Sequence, residues 1–329
     1  SQGGDLNQGW CPVKTFANHC LDRMTFGAKP SEINAFNNLG GNDSARLSAW
    51  VDQQLDWSSI DDSAFQNRVD NANYRTLNKS LVRQWIDHHV DNNDRSRPAG
   101  EMERLMVARA LYSKRQLLES LADFWHNHFN VYLYDFYAQS SFVSWDRDVI
   151  RPPVAGHPRR AGKEDGHMLG NFRQMLELSS QHAAMNYYLD YYINEEGNPN
   201  ENYARELYEL FALGEGNGYT EEDIIETSRA LTGYVERGEI GCEQVTFNPA
   251  RFDAGSKTIF GRTGNWGYDD VIDILFEERP NEIANFICQK LYEFFVHPDS
   301  DDDAGNAQVI ISGLASTFVA NNFEIAPVL

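Results

Sequence analysis

Apolar residues recur at helical spacing along almost the whole chain, and this periodicity constrains the fold more than any other feature of the sequence. In the segment 113–130, for example, Leu117, Leu121 and Phe124 fall on one side of a helix. Residues 234–268 differ, because they combine alternation with many glycines, which is typical of a small β-hairpin. We therefore predict a mainly α protein: a single large multi-helix domain with a small β-hairpin excursion near 234–268.

This domain is expected to span residues 1–329, with N-terminal helices in 1–56 and the main body in 57–329. Capping residues, prolines and glycines mark the expected helix limits. The predicted helices run from Ser31 to Gly40, from Ser44 onward, over Leu81–Ile86 and Met102–Leu111, from a capping box of Ser113 and Gln116 to about Asn130, over 170–180 and 183–193, from Asn198 and Pro199 to Gly214, from a capping box of Thr220 and Asp223 to Gly233, and over 268–278 and 281–296.

Composition excludes some classes of partner. The formal net charge of the 329 residues is −21, whereas nucleic-acid binding requires clustered Lys and Arg to neutralise phosphates. No apolar run approaches the roughly 20 residues that span a bilayer, so we expect no membrane insertion. The acidity is compatible with binding of calcium or another divalent cation.

The chain ends carry expectations about compartment. The first residues, SQGGDLNQGW, lack a starting Met and a signal-peptide core, which is typical of the processed end of a mature protein and equally of an engineered start; we expect a secreted protein. Cys11 and Cys20 are near enough in sequence to close a small disulfide loop, and buried free thiols are the alternative; Cys242 and Cys288 have no assigned pairing. Because the sequence stops at Leu329 within an apolar pattern, we expect the natural chain to continue.

The helix beginning near Pro199 is the main candidate site. Glu201, Arg205 and Glu209 lie with Asn202 on the side opposite its apolar stripe, and Glu206 borders Leu210. Pairs at i,i+4 such as Glu201 and Arg205 can form a solvated, salt-bridged surface. Alternatively, clustered carboxylates beside an Arg suit general acid–base chemistry or a hard-cation site.

Two histidines end the helix after Ser113. At about 100° per residue, His128 falls on the apolar stripe and His126 on the opposite side, so the two imidazoles do not converge on one metal. His128 is either a hydrogen-bonded core residue or a buried acid, base or ligand. Asp299, Asp301 and Asp303 only partly match the start of a calcium loop, since the glycine is misplaced and the closing Glu is absent.

Several segments, in order, resemble the bacterial family called domain of unknown function 1800: RMTFGAKPSEI, FWHNHF, PNENYARELYELFALG, YTEEDIIETSRALTGY and FDAGSKTIFG. The resemblance implies a secreted or cell-surface bacterial protein without a settled activity. Two departures are visible: Phe252 stands where the family usually has His, and 156–166 resembles an insertion. The residues that match polar motif positions of the family are His126, His128, Asn171, Asp190, Asn200, Glu201, Asn202, Arg205, Glu206, Glu209, Arg229, Asp253 and Lys257.

Two functions from different classes follow. The first is a secreted, carboxylate-based hydrolase or lyase of an extracellular polymer, with a site of Glu201, Arg205, Glu206 and Glu209 supported by His128. The second is a non-catalytic surface protein, structural or binding, in which the polar residues form a buried or calcium-stabilised network. The expected binding residues are Asn171, Asp190, Asn202, Asp253 and Lys257.

Overall fold

The protein is mainly α-helical, as the periodicity predicted. A computed structural model describes residues 14–153, 162–235, 245–297 and 304–329. The helices are α1 (Phe16–Met24), α2 (Pro30–Asn37), α3 (Asp43–Leu55), α4 (Ser63–Asn71), α5 (Leu81–Trp85), α6 (Arg97–Tyr112), α7 (Gln116–His128), α8 (Phe142–Trp145), α9 (Phe172–Gln181), α10 (Ala183–Tyr188), α11 (Asn202–Glu206), α12 (Glu221–Ala230), α13 (Tyr268–Glu278), α14 (Pro280–Phe295) and α15 (Ala304–Ala320). Short 3₁₀ segments lie at Trp57–Ser59, Ala138–Ser140, Tyr191–Ile193, Pro249–Arg251 and Ala326–Val328.

Wider π-helical turns extend three of these helices without a break in the described chain. They are Ile86–Val90 after α5, Asp146–Ile150 after α8 and Leu207–Ala212 after α11. In such a turn each N–H bonds five residues back, as Arg151 N does to the carbonyl of Asp146 at 3.0 Å. The turn therefore carries side chains away from the positions that a 3.6-residue period predicts.

One of the two predicted capping boxes is present. Thr220 Oγ1 accepts from Asp223 N at 3.2 Å, and Asp223 Oδ2 accepts from Thr220 N at 2.9 Å. The box predicted at Ser113 and Gln116 is wrong, because α7 begins only at Gln116. The Gln116 amide turns back to the end of α6, where it donates to the carbonyls of Ser113 and Ala110.

The helix predicted from Asn198 and Pro199 also starts later, at Asn202. Asn200 Oδ1 accepts from Asn202 N at 2.9 Å, and this side-chain turn holds the preceding residues out of the helix. The predicted stop is present, since Gly214 has φ +92° and a Cβ there would lie 2.8 Å from the Phe286 ring. Glycine is needed at this position for both reasons.

The expected hairpin is short. Strands β1 (Lys257–Ile259) and β2 (Arg262–Gly264) pair antiparallel around Phe260 and Gly261, which both have positive φ. Residues 236–244 of the predicted 234–268 segment lie outside the described residues, as do Cys11, Cys242, Asp299, Asp301 and Asp303.

A single large hydrophobic core joins the N-terminal helices to the rest of the described chain. Leu21 and Phe36, from α1 and α2, belong to the same cluster as Trp125 of α7 and Ile287 of α14. Helix α7 is the most central element, because it is buried along nearly its whole length. Within the described residues, no helix is long and apolar enough to cross a membrane.

Candidate functional site

The predicted acidic face is a surface ion-pair cluster centred on Arg205. Its guanidinium lies 3.3 Å from Glu201, 3.2 Å from Glu209 and in direct contact with Glu221. Glu221 opens α12 and was not part of the predicted site. All four side chains are at least partly exposed, and exposed pairs of this kind contribute about 0–1 kcal/mol each.

Glu206 is the member of this face that has no hydrogen bond or ion pair with a described residue. It is half-buried, and burial together with the neighbouring Glu209 raises the pKa of its carboxyl, while Arg205 opposes the shift. Glu206 is thus the carboxyl of this face best suited to proton transfer.

His128 lies beneath the helix that bears this face, inside the core. Its Nε2 donates to the carbonyl of Phe211 at 3.0 Å, and the rings of Trp125 and Phe129 pack against it. Burial lowers the pKa of His128 well below its ordinary value, Lys290 adds to the effect, and the bond to Phe211 opposes it. The structure therefore brings His128 near the same helix but not into one surface with the carboxylates.

Three of the predicted binding residues organise the backbone. Asn171 caps α9 and donates to the carbonyl of Asn322 at 2.8 Å, which ties α9 to the C-terminal segment. Asp190 occupies a left-handed conformation, with φ 54°. Asn202 donates to the carbonyl of Leu189 at 3.3 Å.

Asp253 and Lys257 belong to a second ion-paired cluster, away from Arg205 in sequence. Arg229 bonds Asp253 through Nε at 2.8 Å and Glu226 through Nη1 at 2.6 Å. Lys257 is 1% exposed, and burial lowers its pKa although Asp253 opposes the shift. Its ammonium donates to the carbonyls of Asp253 and Gly255 and lies 3.4 Å from Asn265 Oδ1. The lysine therefore stabilises the conformation of the loop that precedes β1.

A buried ion network lies on the side of α7 that is opposite its apolar stripe. This network was not predicted from the sequence. Asp146 accepts from Arg109 Nη1 at 3.0 Å, from His126 Nε2 at 2.9 Å and from Arg151 Nε at 2.9 Å. Arg151 also forms a two-pronged pair with Glu119, at 3.1 and 2.7 Å. Such pairs are the strongest carboxylate–cation contacts in proteins.

The π-helical turn Asp146–Ile150 makes this network possible, because its wide turn brings Arg151 back over Asp146. Burial alone would raise the pKa of Asp146, but Arg151 and Arg109 outweigh it and hold that pKa far below the usual range. Burial would lower the pKa of Arg151, but Asp146 and Glu119 outweigh burial and raise that pKa. The network is a fixed, internally neutralised wall.

Two cavities meet at this wall. One, of about 470 Å³, is lined by Arg109, Glu119 and Arg151. The other, of about 410 Å³, shares Glu119 and Arg151 and adds Asp123. The remaining walls of the second cavity are mostly apolar, from Phe26, Met106, Val107, Ala110, Leu111 and Ala122.

Asp123 is the carboxyl that distinguishes the second cavity from the first. It is half-buried, and its carboxylate has no hydrogen bond or ion pair with a described residue. Burial raises its pKa above the ordinary value, and the neighbouring His126 opposes the shift. Perturbed, unpaired carboxyls in cavities are recurrent features of catalytic sites.

A sequence signal for this site exists. Glu119, Asp123 and His126 follow the spacing i, i+4, i+7 and form a polar stripe opposite the apolar stripe of α7. Helical periodicity correctly predicts His126 on that side, but the prediction did not include the two carboxylates. Arg109, Asp146 and Arg151 could not be assigned, because only the tertiary fold brings them to α7.

Metal binding stays a prediction. Among residues 14–153, 162–235, 245–297 and 304–329, no group of three or more His, Cys, Asp or Glu side chains is arranged to hold a metal ion.

The chain matches the model of a known protein family. The family described as "protein of unknown function (DUF1800)" matches residues 19–329, which is nearly the whole chain. No curated protein and no solved structure matches.

Proposed function

The chain belongs to the DUF1800 family, and because that description assigns no activity, we propose from the site itself that it is a carboxyl-dependent hydrolase or lyase with Asp123 as the proton-transferring group. A single observation carries the proposal. Asp123 is an unpaired, half-buried carboxyl whose pKa is raised by burial and which lines a cavity of about 410 Å³.

The raised pKa gives Asp123 its chemical use. A carboxyl that keeps its proton to higher pH can protonate a leaving oxygen, and its ionised form can then accept a proton from water or from carbon. The apolar side chains around it, Met106 and Leu111 among them, sustain this shift by limiting solvation of the charged form.

The neighbouring ion network preserves that environment. A free Arg151 beside Asp123 would favour the ionised carboxylate and lower its pKa. Glu119 and Asp146 neutralise Arg151 instead, at 2.7 and 2.9 Å. Among the described residues, His126 opposes this shift of the Asp123 pKa, and Asp146 holds the His126 ring through Nε2 at 2.9 Å.

The substrate class is a polymer with a cleavable C–O bond, outside the bacterial cell. A general acid that protonates a leaving oxygen serves both hydrolysis and elimination at such a bond. Secretion is part of this proposal, and it is supported by the resemblance to a bacterial family that implies secreted or cell-surface proteins.

The test is a turnover assay on a panel of polysaccharides and polyesters, with detection of new chain ends. We expect Asp123→Asn to lower kcat by about 10²-fold or more, as loss of a general acid does. Glu206→Gln is the matched control, since Glu206 is also half-buried, unpaired and of raised pKa. Equal activity of Asp123→Asn and the unsubstituted protein would refute the proposal, and selective loss in Glu206→Gln would return the site to the acidic face.

A non-catalytic surface role is the second candidate, and one observation favours it. The two clusters at Arg205 and at Arg229–Lys257 are satisfied internally, as expected for groups that fix helix packing. No turnover of any polymer by the purified protein would favour this alternative.

A further inference from the structure

A cation-lined depression lies at the start of α6, far along that helix from Leu111 of the Asp123 cavity. It has a volume of about 520 Å³ and is lined by Arg75, Lys79, Arg83 and Arg97, against two carboxylates, Asp87 and Asp94. This excess of cations is opposite in sign to the formal net charge of the chain as a whole, which is −21.

The backbone at Arg75 is held by a buried carboxylate of α6. Glu101 is 3% exposed and accepts from Arg75 N at 2.9 Å, Thr76 N at 2.9 Å and Thr76 Oγ1 at 2.7 Å. A buried carboxylate with three donors is a rigid anchor. The backbone of Arg75 therefore belongs to an ordered turn, while the side chain of Arg75 is exposed to solvent.

Lys79 is fixed from the side by the π-helical turn Ile86–Val90. Its ammonium lies 2.8 Å from Asp87 and 2.9 Å from Nε2 of the buried His88. His88 Nδ1 lies 2.8 Å from the carbonyl of Asn93, so this nitrogen donates and Nε2 accepts from Lys79. The lysine is held at the wall of the depression.

The carboxylates do not neutralise the cations. Asp87 is shared between Lys79 and Arg83, each at 2.8 Å, while Arg97 pairs with Asp94 at 2.7 Å and lies 4.0 Å from Glu101, so three carboxylates face four cations. No carboxylate of the described residues lies within 4 Å of the Arg75 guanidinium. Positive charge therefore remains available in the depression.

We propose that this depression binds a tetrahedral oxyanion, the phosphate or sulfate group of a ligand. Its cations come from three chain segments, at 75–79, at Arg83 and at Arg97, so donors converge from several sides. That arrangement suits an anion with oxygens in several directions better than a planar carboxylate, for which one guanidinium fork suffices. This inference is independent of the catalysis proposed for Asp123.

The experiment is calorimetric titration of the full chain in chloride buffer with inorganic phosphate, sulfate or acetate. We expect saturable one-to-one binding of phosphate and sulfate, and weaker binding of acetate. Arg75→Gln/Lys79→Gln should weaken phosphate binding tenfold or more. The matched control, Lys14→Gln/Arg251→Gln, removes the same charge from exposed positions elsewhere and should bind as the unsubstituted protein does.

Equal weakening in both double variants would overturn the proposal, because the effect would then come from net charge. Acetate binding as tight as phosphate binding would overturn the tetrahedral assignment. If Arg75→Gln/Lys79→Gln melts early by circular dichroism, Arg83→Gln serves instead, since Arg83 is 63% exposed. Unchanged phosphate affinity in that variant would count against the site.

Discussion

Asp123 and Arg151 line the same cavity but have opposite effects on the stability of the fold. Arg151 is buried and paired with two carboxylates, whereas Asp123 is half-buried and unpaired. The first arrangement stabilises a fixed wall, and the second retains a destabilising charge. Retention of such a charge is typical of sites where function and stability conflict.

Asp123→Asn should therefore stabilise the protein at neutral pH. Because the pKa of Asp123 is raised in the folded state, the folded protein binds more protons than the unfolded chain as pH rises above 3.8, so the carboxyl costs stability there. Urea titrations at pH 3 and pH 7 test this: we expect a gain at pH 7 and none at pH 3. Asp52→Asn, on the exposed side of α3, is the control and should change neither value. A loss at pH 7 would show that the carboxylate has a stabilising partner.

Arg151→Met should destabilise the protein by about 3–5 kcal/mol, because Asp146 and Glu119 would be left buried without their main cation. The exposed pair of Arg251 and Glu195 provides the comparison, and Arg251→Met should cost about 0–1 kcal/mol. Equilibrium urea unfolding measures both. Similar small costs would mean that water reaches the Asp146 network.

At the scale of elements, the π-helical turns explain where the sequence analysis failed. Each of the three described turns lies at a polar cluster: Ile86–Val90 at the depression, Asp146–Ile150 at the buried network, and Leu207–Ala212 at the Arg205 face. A 3.6-residue period located the helices but assumed regular turns inside them. The wider turn at Leu207–Ala212 also gives His128 a carbonyl, that of Phe211, which a regular-helix projection does not reveal.

Helix stops were more predictable than helix interiors, and Gly214 illustrates why. Its left-handed conformation is encoded locally, and the adjacent Phe286 ring adds a tertiary constraint. Gly214→Ala should cost about 1–2 kcal/mol for the backbone and roughly 1–3 kcal/mol more for crowding against Phe286. Gly261→Ala, where φ is +79° and nothing lies within 4 Å of the new Cβ, isolates the backbone part. Equal losses in urea unfolding would show that the Phe286 ring moves aside freely.

At the scale of the whole molecule, the sequence predicted the fold class and one large helical domain, but not the cavity. The wall of the cavity combines α6, α7 and the turn before Arg151, and side chains so far apart in sequence meet only through tertiary packing. Periodicity identifies which side of each helix is buried, and it carries no information on which helices become neighbours. The candidate site was therefore placed on a helix rich in charged residues rather than in the cavity beside α7.

Global stability should fall as the medium is acidified below pH 6.5. Burial lowers the pKa of His128, and it lowers those of His89 and His182 to about 4, so the unfolded chain takes up protons from pH 6.5 downward before the folded protein does. Three such groups give a slope approaching roughly 4 kcal/mol per pH unit near pH 5. Urea midpoints from pH 7 to pH 4 measure the slope, and His182→Gln should lower it by about a third. A flat profile would mean that all three imidazoles protonate in place.

The most direct measurement is the pKa of Asp123 itself, from carboxyl ¹³C chemical shifts of the folded protein as a function of pH, with Asp123→Asn to assign the resonance. We predict a titration midpoint above the ordinary value of 3.8, because the carboxyl is half-buried and has no described hydrogen-bond partner. A midpoint at or below 3.8 would contradict the proposed role, since Asp123 would then be an ordinary ionised carboxylate with no proton to donate near neutral pH.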